Sequence, residues 1–236
     1  MTTSTNDSTS QNAEILEETG GAFADGLTLI RILLTPAIMF LIYKAWGRDE
    51  EGFIYIDVTL TTLASFLFLI AALTDIFDDY FGGTETSVFR RFGHWDDVAD
   101  TILCTGTLAA LLFVTHRAGF LAWPFAVPAL IIIAREILVG FVKGKQISIY
   151  GWPDNFLSSA KSFFIMLGVC ILVATPWLTQ WFDALRANEA NVVDVFNNAS
   201  PMIWVIGEIA LWIGAVFSIL SAIKIFKTPL GPVNDE

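Results

Sequence analysis

Residues 75–100 read DIFDDYFGGTETSVFRRFGHWDDVAD. The stretch holds Asp75, Asp78, Asp79, Asp96, Asp97 and Asp100, with long apolar runs directly before and after it. Charge at the edge of an apolar span is costly and persists where it is paired, coordinated or used. Asp75 and Asp78 are three apart, and Asp96 and Asp100 are four apart, so on helices each pair shares one face. Two such pairs on consecutive helices can converge on one point. Hard divalent cations take oxygen ligands, and Mg2+ binds a few carboxylates together with substrate phosphate and water. Four unpaired carboxylates at short range repel one another, and a metal removes that cost. The spacing points to a metal site that handles a phosphate-bearing substrate. The competing reading is a solvated acidic loop.

The chain around this stretch is that of a membrane protein. Of 236 residues, 55% are hydrophobic and only 16% charged, with mean hydropathy +0.63. A soluble domain carries about 25% charged residues. Six apolar segments, at about 26–46, 57–80, 98–116, 120–143, 157–179 and 202–227, are each near the ~20 residues a spanning helix needs. The expected fold is all-α, a polytopic membrane protein with six transmembrane helices over 25–228. An acidic tail at 1–24 and a short C-terminal tail at 229–236 flank it. Pro124 and Pro128 predict a kink or late start in the fourth segment, and Pro176 predicts the end of the fifth. The connections on the side away from the aspartates read as ordinary loops.

Residues 1–25 contain neither Lys nor Arg, so neither a secretory signal nor a mitochondrial presequence is expected there, and its start reads as disordered. The net charge of -11 argues against nucleic acid as a partner. Cys104 and Cys170 fall inside apolar runs and read as packing residues. Arg90, Arg91, Lys143, Lys145, Lys224 and Lys227 lie on the side of the aspartates, against Lys44, Arg48, Arg117 and Arg186 opposite. That bias predicts cytoplasmic termini and a cytoplasmic aspartate stretch.

Arg31, Arg135, Glu136, Lys161 and Glu208 stand inside apolar segments or at their ends. Ionisable residues there are functional candidates by default. Arg31, Arg135 and Lys161 can supply the positive wall of a phosphate pocket, Arg gripping an oxyanion with two donors. The structural alternatives are a snorkelling Lys161, an Arg31 paired with a nearby acid, and pairs between Arg135 or Glu136 and neighbouring helices. Glu208 has no role assigned from sequence.

The aspartate stretch resembles the CDP-alcohol phosphatidyltransferases, whose pattern is D-x-x-D-G-x-x-A-R-x8-G-x3-D-x3-D. Its four aspartates fall on Asp75, Asp78, Asp96 and Asp100 with every interval kept. Asp79 stands at the first glycine, Gly82 at the alanine, Gly83 at the arginine, and Phe92 at the second glycine with Gly93 one residue late. The resemblance continues in the run Leu27–Ile32, in Ala134-Arg135-Glu136-Ile137 and in Ser159-Ala160-Lys161-Ser162, and is strongest to the family's glycerol-phosphate branch. It implies transfer of a phosphatidyl group from CDP-diacylglycerol to glycerol 3-phosphate, with release of CMP. It implies Asp75, Asp78 and Asp96 as ligands of Mg2+ (or Mn2+), with Asp100 at the same centre as ligand and general base. Asp79, Gly82 and Gly83 then lie on the nucleotide side, and Arg31, Arg135 and Lys161 on the acceptor phosphate. A homodimer in a bacterial inner membrane is the implied assembly and place. The departures at Asp79 and Gly83 leave three alternatives: another acceptor or donor, a degenerate homologue, or a cation-handling membrane protein. An ion path would carry acids at several depths, whereas these cluster mainly at one end.

Overall fold

A computed structural model describes residues 26–48, 54–81, 96–150, 156–185 and 202–227; within these, the side chains of residues 48, 54, 75–81, 96–97, 143–150 and 182–185 are outside the description. Among the described residues six helices follow in order: α1 (Gly26–Ala45), α2 (Val58–Phe81), α3 (Asp96–Ala118), α4 (Trp123–Tyr150), α5 (Phe156–Leu185) and α6 (Met202–Lys227). The helices form because lipid offers backbone groups no hydrogen-bond partner, so an apolar span must satisfy them internally. Five are long and apolar enough to cross a bilayer. In α2 the apolar part is Val58–Thr74, but all 24 residues are helical, a length of about 36 Å against a hydrocarbon core of about 30 Å. Large apolar side chains point outward: Leu33, Phe141 and Phe156 are 71%, 91% and 80% exposed. The outer surface is apolar, as a lipid-facing surface must be. The chain is an all-α polytopic membrane protein.

One connection departs from the expected plain loop. Strands β1 (Trp46–Arg48) and β2 (Ile54–Ile56) pair antiparallel, Trp46 opposite Ile56. Arg117 donates to the Trp46 carbonyl at 3.1 Å and lies over the Tyr43 ring, so α3 holds the hairpin in place. Asp57 then caps α2, its carboxylate accepting from the backbone N–H of Thr59 and Leu60 at 2.9 and 3.1 Å. At the same end α3 closes on Gly119, whose φ of 78° suits glycine, with Phe120 N–H donating to the Thr115 carbonyl.

Pro124, Pro128 and Pro176 fall in two helices, and α4 starts at Trp123, three residues later than its apolar run. Pro124 occupies the first turn of α4, where its missing N–H is not needed, and Pro128 lies inside the same helix. Pro176 does not end α5, which runs on to Leu185. Thr175, beside it, donates to the Ile171 carbonyl at 2.8 Å. Just beyond, Trp177 donates its indole N–H to Ser65 of α2 at 2.8 Å and stacks on Phe66. Threonine side chains and neighbouring helices let a span carry proline without breaking.

Helices α5 and α6 form the tightest pair, and α5 also packs on α2 while α4 packs on α6 and α3. Small residues let the α5 and α6 backbones approach. A Cβ on Gly214 would meet Ile165 Cγ1 at 2.8 Å and its backbone N at 3.2 Å, and one on Gly207 would meet Leu172 Cγ at 2.8 Å. Gly214→Leu is therefore expected to destabilise the protein by about 1–3 kcal/mol through overpacking. Gly140→Ala, where a Cβ would meet nothing within 4 Å, is the matched control. Thermal unfolding in detergent checks this: equal midpoints for the two variants would remove the close-packing argument.

Candidate active site

The aspartates sit where two helices approach each other. The last turns of α2 carry Asp75, Asp78 and Asp79, and the first turns of α3 carry Asp96, Asp97 and Asp100. Both segments are helical, so the face-sharing expected from the spacing holds along the backbone. The side chains of Asp75, Asp78, Asp79, Asp96 and Asp97 lie outside the described residues, as do Gly82 and Gly83 altogether. Among the described residues no three acids, histidines or cysteines cluster.

Arg31 fastens the two helix ends together. Its residue is fully buried, at 0% exposure, in α1. One guanidinium nitrogen forms an ion pair with Asp100, whose side chain keeps 13% of its surface open. The Nε–H points to the Thr74 hydroxyl at 3.4 Å, and Thr35 donates to the Arg31 carbonyl at 3.0 Å. One planar group thus reaches both Thr74 on α2 and Asp100 on α3. Asp78 is one turn beyond Thr74, and Asp96 one turn before Asp100, each on the same helix face. Both aspartate-bearing turns stand at the ends of their helices nearest Arg31, and carboxylate oxygens are the donor type a hard divalent ion takes.

A second charged group stands on the other wall. Glu136 of α4 accepts from Arg135 Nη1 at 2.7 Å through one oxygen and from Lys161 Nζ of α5 at 2.9 Å through the other. Arg135 also donates to Ser221 of α6 at 3.2 Å. All three ionic residues are buried, at 5%, 9% and 6% exposure for Arg135, Glu136 and Lys161. Pairing is what makes such burial tolerable, since an isolated charge there would be strongly unfavourable.

Between the two walls lies an open cleft, lined by Asp100, Thr101, Cys104 and Thr105 of α3, Ile132 and Glu136 of α4, and Lys161, Ser162, Ile165 and Met166 of α5. Of the three cations expected to form a phosphate wall, Lys161 lines the cleft. Arg31 and Arg135 reach it through Asp100 and Glu136. The pairing expected as an alternative for Glu136 is present, with a helix 25 residues further along the chain. Glu136, Thr101 and Ser162 join the site as lining residues beyond those named for it from sequence. Glu136 was visible as an intramembrane acid, while Thr101 and Ser162 carried no signal beyond standing next to Asp100 and Lys161. Glu208 stands apart, accepting from Trp204 of its own helix at 2.8 Å.

A carboxylate paired with arginine, an ammonium in the facing wall and hydroxyls between them suit a hydroxyl nucleophile that carries an anion. At the end of a helical bundle in lipid, this defines a membrane-embedded enzyme of phosphate-group transfer. The chain matches the CDP-alcohol phosphatidyltransferase family over residues 22–220, and it belongs to that family. Curated bacterial relatives named CDP-diacylglycerol–glycerol-3-phosphate 3-phosphatidyltransferase are similar over most of their length. The one from Rickettsia typhi is 27% identical over 206 residues, covering 85% of this chain and 93% of the relative. That from Blochmanniella floridana is 28% identical over 204 residues, covering 84% and 93%. That from Haemophilus influenzae is 26% identical over 211 residues, covering 89% and 94%. The chain is a phosphatidyltransferase of phospholipid biosynthesis, integral to the membrane.

Proposed function

We propose that the protein transfers the phosphatidyl group of CDP-diacylglycerol to the hydroxyl of glycerol 3-phosphate and releases CMP. The observation that supports this reading best is the shared cleft: Asp100 in one wall and Lys161 in the other. Asp100 takes the proton of the acceptor hydroxyl. The acceptor oxygen forms a new bond to the phosphatidyl phosphorus, and the bond from that phosphorus to the CMP oxygen breaks. Arg31 pairs with Asp100 and orients it at the cleft. Lys161 holds the acceptor's phosphate, backed by Arg135 through Glu136, with Arg31 completing the positive side. Asp75, Asp78 and Asp96, with Asp100, are the residues that would hold Mg2+ or Mn2+. A bound divalent ion supplies charge neutralisation at the diphosphate and at the leaving CMP. Asp79, Gly82 and Gly83 are assigned to the nucleotide side.

The catalytic body is residues 25–228, between two tails. The termini and the cleft face the cytoplasm of a bacterial inner membrane, so the lipid tails stay in the bilayer while the head group and acceptor enter from water. The working assembly is a homodimer. The test is CMP release from CDP-diacylglycerol by the purified full chain with Mg2+ or Mn2+ and a panel of acceptors. Glycerol 3-phosphate is expected to be used best, and chelation of the metal to stop turnover. No release with any acceptor from folded protein sinks the reading; preference for an unphosphorylated alcohol replaces the acceptor alone.

A further inference from the structure

The wall that faces an anionic acceptor contains an acid. Glu136 lines the cleft beside Lys161 and accepts from both Lys161 and Arg135. Two cations and one carboxylate leave the group with a formal charge of +1. Without the carboxylate, two buried cations would lose the acid that bridges them, which burial disfavours. With it, an incoming phosphate meets a like charge whose oxygen is already bonded to Lys161. The phosphate and Glu136 therefore compete for one ammonium.

The geometry points to Glu136 as the resident counter-anion of this pocket, which the acceptor's phosphate displaces from Lys161 and which reclaims Lys161 when product leaves. Glu136 is a positioning residue that acts through Lys161 and sets the affinity for a phosphomonoester. This rests on the acceptor reading above. The reaction itself gives the device a use. Transfer occurs at the acceptor's hydroxyl, so its phosphomonoester survives unchanged on the lipid product. A pocket that gripped that group without a competitor would hold the product as firmly as the substrate. Re-pairing of Glu136 with Lys161 offsets the loss of phosphate contacts on release.

Inorganic phosphate is the probe, titrated against the full chain in detergent by calorimetry, alongside steady-state kinetics with glycerol 3-phosphate. In Glu136→Gln the dissociation constant for phosphate is expected to fall roughly tenfold, because a like charge beside the site is gone. KM for glycerol 3-phosphate falls with it, and kcat falls too as product release slows. A role confined to supporting the fold would not produce tighter binding with slower turnover. An unchanged or raised dissociation constant overturns the proposal. Should Glu136→Gln fail to fold, Glu136→Asp takes its place: the shorter carboxylate pairs less well with Lys161, so phosphate is expected to bind more tightly than to the wild type, and equal or weaker binding overturns the proposal. The phosphate titration does not depend on the transfer reaction. A wild-type chain that binds phosphate but releases no CMP therefore counts against the acceptor reading, not against the exchange at Glu136.

Discussion

Asp100→Asn is expected to reduce CMP release by about 10²–10⁴-fold, the range a positioned general base contributes, while the protein stays folded and still binds CDP-diacylglycerol. The substitution is nearly isosteric. The amide oxygen can still accept from the guanidinium of Arg31, the partner of Asp100 in the native site. What is lost is the negative charge and with it the ability to take a proton. Some stability goes as well, because the ion pair with an arginine at 0% exposure becomes a neutral hydrogen bond. Charge-assisted bonds are roughly twice as strong as neutral ones, so a loss of about 1–2 kcal/mol is the expected scale. The experiment needs three readouts on one preparation: single-turnover CMP release, binding of CDP-diacylglycerol, and the thermal midpoint. Near-normal turnover would remove Asp100 from the proton transfer. Loss of lipid binding together with turnover would leave Asp100 as a ligand only.

The helices were legible because lipid leaves so little freedom. Apolar runs of spanning length must be helical, and the segments expected at 26–46 and 202–227 emerge as Gly26–Ala45 and Met202–Lys227. Helix ends were less legible. Lys143 and Lys145 marked the edge of the apolar span, but backbone hydrogen bonding does not stop where the bilayer does, and α4 continues to Tyr150. The hairpin at Trp46–Ile56 escaped notice because strands of three residues carry no readable alternation, and its bonds to Arg117 come from a distant helix. Pro176 misled because its ordinary effect is judged in water, whereas α5 meets Thr175, Ser65 and α2 around it.

The site divides the same way. Intervals of three and four expose a shared face on one helix, so the aspartate pairs could be read from spacing alone. Partners across helices could not. Arg31 could be placed inside the first span, but the partner expected for it was a nearby acid, whereas it pairs with Asp100, 69 residues further on. Glu136 was seen as a buried charge, but its position between Arg135 and Lys161 depends on how α4 meets α5. Spacing shows which residues share a helix face; only packing shows which charges cancel, and cancellation decides which cation is presented to a ligand.

Arg31 is where fold and chemistry depend on one side chain, so Arg31→Met is expected to lose both. Breaking a buried ion pair from one side costs about 3–5 kcal/mol, because the remaining charge stays without its partner. Here that charge is Asp100, and the connection from α1 to Thr74 goes with it. Met fills much of the volume, so the loss measures polar interactions rather than a cavity. Activity is expected to fall at least as far as in Asp100→Asn, since the base loses its orientation. Arg31→Lys keeps the charge but offers a single ammonium in place of a planar fork. It is expected to recover most of the stability and less of the activity, because one nitrogen cannot hold Thr74 and Asp100 in the native geometry together. The decisive variant combines Arg31→Met with Asp100→Asn. Removing both charged partners leaves no uncompensated ion, so the double variant is expected to be more stable than Arg31→Met alone while remaining inactive. Thermal midpoints of the four proteins, wild type included, complete the cycle. Strictly additive losses would mean that Arg31 supports α1 by packing alone, and that the alignment of the two aspartate-bearing helix ends has another source.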